Sequence, residues 1–215
     1  MKGLLLKDWY EIRYQYRWFL ILLAVAGFSS ATGQGNAVFW GCYMMILVAM
    51  IPLNTMGYDE KSGWQKYSRC FPVSSGHLVL EKYLLGVIAL IVAVGVYLLF
   101  SAIFYFIPGV GNAKEQFFTI LAAMITVGVF PMALMLPLNI RFGMEKARVY
   151  LIFFIIIVAV AAGGIFAGAE DLPMIVNFLA GINLDLFILL LPLISIVLLA
   201  ATYPLSVWLY HKKEW

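Results

Sequence analysis

The stretch Trp18–Tyr58, WFLILLAVAGFSSATGQGNAVFWGCYMMILVAMIPLNTMGY, contains no Asp, Glu, Lys, Arg or His. It is too long for one membrane helix, which needs about 20 residues. Gly33-Gln34-Gly35-Asn36 interrupts it with turn-forming residues, so it reads as a helical hairpin with spans near 18–32 and 37–56. Both flanks of the hairpin are basic. Lys2, Lys7, Arg13 and Arg17 precede it, and Lys61, Lys66, Arg69 and Lys82 follow it. Loops near membrane spans collect Lys and Arg on the cytoplasmic side, so the hairpin begins and ends there.

The same logic extends along the chain. Further spans are expected from Tyr83 to about Ile107, Phe117 to about Ile140, Tyr150 to about Gly168, and about Leu186 to Tyr210. Arg141, Lys146 and Arg148 fill the gap between the fourth and fifth, and Lys212 and Lys213 follow the sixth. Of the 14 Lys and Arg, only Lys114 lies in an alternate gap. The four basic regions hold thirteen cations against seven carboxylates, net +6; the other gaps hold one against four, net −3. Six spans with both termini in the cytosol satisfy this alternation. At 64% hydrophobic and 12% charged residues, the 215-residue chain has room for one all-α membrane domain and little else. The excess of +3 matches a cytoplasmic membrane face and gives no reason to expect nucleic acid.

Smaller segments have their own character. Residues 1–17 interleave Leu5, Leu6, Trp9, Tyr10, Ile12 and Tyr16 with charges, as an interfacial helix does; a plain basic flank that sets topology is the other reading. That leader is too long, aromatic and acidic for the n-region of a cleavable signal peptide. Leu172–Leu184, between Asp171 and Asp185, is apolar but too short to cross, and reads as a re-entrant segment on the outer face. Cys42 falls in a span and Cys70 in a cytoplasmic loop, so neither is placed for a structural disulfide. Within the spans the polar residues are Asn54, Ser101, Thr119, Thr126, Asn139, Ser195 and Thr202, among a few others, and interhelical packing is the role expected of each.

The cytoplasmic stretch 57–82, GYDEKSGWQKYSRCFPVSSGHLVLEK, carries the sharpest local pattern. Asp59 and Glu60 are expected to open a short helix and Lys66 and Arg69 to close it, in keeping with the helix dipole. Trp64, Tyr67 and Phe71 would form one aromatic stripe, Pro72 would stop the helix, and Ser74 or Ser75 would cap the next. The stripe suits either a lipid surface or a groove on a soluble partner.

Several segments resemble the permeases of ABC-2 type transporters, in their small six-span bacterial branch. They are MKGLLLKDWYEIRYQYR at the start, Tyr58-Asp59-Glu60 through Trp64 and Tyr67, Pro72-Val73-Ser74, and Lys82-Tyr83-Leu84-Leu85-Gly86. Arg141-Phe142-Gly143-Met144-Glu145-Lys146-Ala147-Arg148 and the closing His211-Lys212-Lys213-Glu214-Trp215 complete the likeness. The resemblance implies that residues 57–75 form a coupling loop that docks on an ATPase, through Tyr58, Asp59, Glu60, Lys61, Trp64, Tyr67, Arg69 and Phe71. It implies a second contact at 141–148, through Arg141, Glu145 and Lys146, and an extracellular dip at 172–184. Ser75 stands where such permeases often carry a basic residue, which removes one local charge contact. Nearest in character are permeases that export amphipathic cytolytic peptides such as phenol-soluble modulins. The implied assembly holds two permease copies, identical or homologous, in a bacterial cytoplasmic membrane with two ATP-binding chains. ATP and Mg would be bound by those chains.

No G-x-x-x-x-G-K-[ST] phosphate loop, G-x-S-x-G or H-E-x-x-H occurs, so no catalytic, cofactor or metal site is expected in this chain. His77 and His211 have no ligand-spaced partners. A membrane anchor or sensor that recruits a partner through the same loop is the alternative function.

Overall fold

A computed structural model describes residues 2–13, 21, 25, 37–70, 74–105, 117–147, 149–150, 152–153 and 184–212. Among them every regular element is helical. The elements are α1 (Lys2–Ile12), α2 (Ala37–Ala49), α3 (Ile51–Lys61), α4 (Trp64–Tyr67) with a 3-10 turn (Ser68–Cys70), α5 (Ser75–Tyr105), α6 (Phe117–Phe142) and α7 (Leu184–Lys212).

Four helical stretches are long and apolar enough to cross a membrane: Phe39–Lys61, Ser75–Ile103, Phe117–Phe142 and Leu189–Lys212. They correspond to the second, third, fourth and sixth expected spans. Nearly all of the first and fifth spans, and residues 172–183 of the re-entrant segment, lie outside the described residues.

The first of the four is built from two helices. Met50 interrupts α2 with φ −76° and ψ −13°, and Pro52 sits in the opening turn of α3, where its missing N–H costs nothing. Thr55 closes the turn by donating to the Pro52 carbonyl at 2.9 Å. Prolines also lie inside α6 (Pro131, Pro137) and α7 (Pro192, Pro204). Membrane helices tolerate these because neighbouring groups re-satisfy the backbone.

Helix α6 is the centre of the bundle and packs most extensively against α7 and α2. Met132, Ala133 and Leu136 on α6 are wholly buried, with Met45, Ala49 and Leu53 of α2 and α3 around them. In lipid, helix association rests on close packing, which small residues permit. Gly86 of α5 provides it here: a Cβ there would stand 2.4 Å from the Met132 methyl and 3.1 Å from Pro52. The in-span hydroxyls mostly bond within their own helices. Thr126 donates to Ala122 O at 2.8 Å and Ser195 to Leu191 O at 2.8 Å. Tyr83 of α5 donates to Thr202 at 3.2 Å and lies 2.7 Å from the buried Ser206 hydroxyl, tying α5 to α7.

Candidate functional site

The stretch 57–82 does not begin as the dipole argument expected. Asp59 and Glu60 occupy the last turn of α3 instead of opening a new helix. Carboxylates are unfavourable at a helix C-terminus, so their charge must be met from elsewhere. After them, Ser62 bonds back to Tyr58 O at 2.8 Å and Gly63, at φ +70°, turns the chain as C-terminal glycines do. The chain then makes one helical turn, α4, and a 3-10 turn held by Ser68 Oγ donating to Gln65 O at 3.0 Å. The next helix starts at Ser75, with the Ser74 carbonyl accepting from His77 N–H at 2.9 Å.

Asp59 is buried and is neutralised by two lysines from other elements. Lys82 of α5 places Nζ 2.7 Å from Asp59 Oδ2 and 2.7 Å from Asp8 Oδ2, with Thr55 Oγ1 at 3.4 Å. Lys7 of α1 pairs with Asp59, stands 3.3 Å from Asp8 Oδ1 and 3.8 Å from Glu11, and lies 4.7 Å over the Trp64 ring. Asp8 is 0% exposed. Helix α1 is thus fastened by its charged face, while Leu6, Trp9 and Tyr10 face outward. That outward face is the one an interfacial helix offers to lipid. Burial raises the Glu11 carboxyl above its ordinary value, with Lys7 opposing.

Asp8, Glu11 and Asp59 each bring a carboxylate oxygen within 4.8 Å of the others, a spacing that suits a cation. Lys7 pairs with all three, so its ammonium already supplies that charge. Beside the cluster lies a cavity of about 40 Å³ between α3, α4, α5 and the ends of α6 and α7, lined in part by Trp64, Gln65, Ser68, Glu81 and Tyr210.

Glu60 reaches the other way. Its Oε2 accepts from Met144 N–H at 2.9 Å. Gly143, at φ +80°, ends α6 by donating to Asn139 O at 2.9 Å, and residues 144–147 then form a helical turn. Glu60 therefore acts as a cap on that turn, donated from a different loop. The Met144 side chain enters the space left by Gly57, where a Cβ would stand 1.9 Å from its sulfur. The loops at 57–75 and 141–148 are interlocked by backbone and side chain alike.

The residues nominated for partner contact fall into three groups. Tyr58, Lys61, Tyr67, Arg141, Glu145 and Lys146 are exposed, with Arg141 over the Phe142 ring at 5.2 Å. Asp59, Glu60 and Trp64 serve contacts within the chain. Phe71 and the Arg69 side chain lie outside the described residues. Sequence reasoning missed Lys7, Asp8, Glu81 and Lys82 as one cluster, having read Lys7 and Lys82 only as topology charges. The sequence held no signal for this, because the burial of Asp8 follows only from the packing of α1 against α3 and α5. It also missed Gly57 and Met144, for which side-chain shape alone decides.

The family model described as ABC-2 family transporter protein matches residues 3–211 of the chain. No curated protein and no solved structure matches the chain.

Proposed function

From its membership of the ABC-2 transporter family, which makes it a multi-pass membrane permease component, we propose that the chain carries hydrophobic or amphipathic substrates out of a bacterial cell. Cytolytic or antimicrobial peptides fit that class. Two permease copies would pair with two ATP-binding chains that hold ATP and Mg and perform the hydrolysis. Both termini would lie in the cytosol of the cytoplasmic membrane.

The observation that carries this reading is the interlock of the two cytoplasmic loops through Glu60 and Met144. A permease must convert closure of its ATPases into movement of its spans. Loops that share a cap and a packed methionine receive that push together. Tyr58, Lys61 and Tyr67 on one side, with Arg141, Glu145 and Lys146 on the other, supply the docking face. Asp59 and Trp64 transmit the push inward, since they rest on Lys82 and Lys7. A charge-free aromatic bundle offers little to a small charged solute and much to an amphipathic peptide.

Mild-detergent purification of the tagged chain from its native membranes tests the assembly. An ATP-binding cassette protein should co-purify in roughly equal amount, and amphipathic peptides should stimulate its ATPase activity. Tyr67→Ala with Lys146→Ala should lose the partner while leaving the chain in the membrane. Recovery of the chain alone, or with a non-ATPase partner, would turn the reading to an anchor or sensor.

A further inference from the structure

The described methionines divide by their surroundings. Met44, Met45, Met56, Met124, Met132 and Met135 are buried and Met50 is half-buried, all of them within the four apolar stretches. Met144 is half-buried as well, but it follows α6 and lies outside those stretches. Polar groups surround it. Glu145 and Lys146 beside it are exposed, as is Glu60, whose carboxylate accepts from the Met144 N–H at 2.9 Å. Its side chain nevertheless fills a fitted space. Gly57 is buried in α3, and a Cβ there would overlap the Met144 sulfur and stand 3.1 Å from its methyl. The turn 144–147 is therefore fastened to α3 twice through one residue, by the thioether in the notch and by the N–H on Glu60.

We propose that Met144 is an oxidation site, at which a hydroperoxide forms the sulfoxide and releases the loop 141–148 from the loop 57–75. A sulfur lone pair attacks one peroxide oxygen, the O–O bond breaks, and the departing hydroxide takes up a proton to become water. Sulfur loses two electrons and the peroxide gains them. A dithiol-driven reductase reverses the step, returning the oxygen as water and leaving the dithiol as a disulfide. Oxidation turns a flexible apolar side chain into a polar one. The notch holds nothing to receive the new oxygen: Gly57 lies within α3, whose N–H groups serve the helix itself, and Glu60 is an acceptor. A buried acceptor without a donor is costly, so the sulfoxide withdraws from the notch. The withdrawn residue also carries the N–H that Glu60 accepts, so both fastenings loosen together. The site resides in the permease chain alone; only its effect on ATP-driven coupling rests on the transport reading.

A hydrogen peroxide titration of the purified full chain in nanodiscs tests it. Peptide mass spectrometry follows each methionine, and amide exchange follows residues 57–62 and 141–147. Met144 should oxidise about tenfold faster than Met132 or Met135, because susceptibility follows exposure. Exchange in both loops should rise about fivefold as the sulfoxide forms, the factor that corresponds to a lost helix cap. Methionine sulfoxide reductase with dithiothreitol should restore protection. Met144→Leu, apolar and not oxidisable, should show no peroxide-dependent rise, and Met144→Gln, polar throughout, should show the raised exchange without peroxide. Size-exclusion profiles verify that both variants are folded. Oxidation of Met132 as fast as Met144 overturns the proposal. So does unaltered exchange with Met144 fully converted, or a Met144→Leu chain that responds to peroxide as the wild type does. Failure to recover an ATP-binding partner would sink the transport reading and leave these results standing.

Discussion

Replacing Lys82 with Met should be the most damaging single change in the charged cluster that joins α1, α3 and α5. Lys82 Nζ lies 2.7 Å from Asp8 and 2.7 Å from Asp59, and its side chain is 9% exposed. At an effective dielectric constant of about 20, each contact is worth about 6 kcal/mol of gross attraction. Desolvation of the three charges cancels much of that while the cluster is intact. Deletion of one partner does not return the desolvation of the others, so the expected loss is about 3–5 kcal/mol. Lys7 still stands beside both Asp59 and Asp8, so a single ammonium is left to serve two buried carboxylates, of which Asp8 is wholly shielded from water. The assay is unfolding of the purified chain in mixed micelles, followed by tryptophan fluorescence, with amide exchange of α1 as a local readout. Adding Asp8→Asn to Lys82→Met should recover about 2 kcal/mol, the coupling expected of groups in direct contact. A loss below about 1 kcal/mol, the range of solvent-exposed pairs, would refute the argument, as would an Asp8→Asn that worsens the Lys82→Met protein.

Glu60→Ala should cost about 1 kcal/mol, the usual worth of a helix cap, and should raise amide exchange at Met144; Glu60→Gln, which keeps an acceptor oxygen, should largely preserve protection there. Gly57→Ala should cost about 1–3 kcal/mol through overpacking against Met144, with thermal unfolding as the measure and Met144→Ala as the suppressor. Gly143→Ala combines the αL penalty of about 1–2 kcal/mol with a Cβ placed 2.5 Å from Glu60 Oε1, so it should unfasten the second loop more than Glu60→Ala does in the same exchange experiment. Burial holds the Glu11 carboxyl above its ordinary value, so its contribution to stability is complete below the unfolded-state value and is lost as pH rises through the raised one. Glu11→Gln should flatten that part of the melting-temperature profile, and an unaltered slope would show that Glu11 does not titrate in the folded chain.

Charge-free runs and their basic flanks made the membrane helices legible, because the bilayer imposes one length and one composition on every span. Four helical stretches meet that requirement where spans were expected. The start of α5 at Ser75 was also legible, since a Pro-Val-Ser-Ser sequence leaves few other places for a helix to begin. The boundary at Asp59 was not. Dipole reasoning placed its carboxylate at the start of a helix, whereas Lys7 and Lys82, 52 and 23 positions away along the chain, hold it at the end of one. Local electrostatics yields when a tertiary partner supplies a whole unit charge within hydrogen-bond distance. Trp64 illustrates the same limit. Its spacing to Tyr67 defined a stripe, but the cation above its ring comes from α1. Interlock by Gly57 and Met144 left no periodic trace, because it depends on the fit of two side-chain volumes brought together by separate helices.

The prolines of α6 and α7 bear on how a bundle without charged side chains between residues 117–140 and 186–210 could handle a substrate with a polar face. Each proline lacks the N–H that would serve the carbonyl four residues earlier. Pro131, Pro137, Pro192 and Pro204 therefore leave the oxygens of Val127, Ala133, Ile188 and Ala200 without their helical donor. These four sites fall on the two most extensively packed helices of the bundle. For the amphipathic peptide substrate proposed above, acceptors of this kind on the main chain would serve its amides at no cost of burying a charge. Selectivity of that kind would follow backbone shape more than side-chain identity, and would tolerate many unrelated amphipathic sequences.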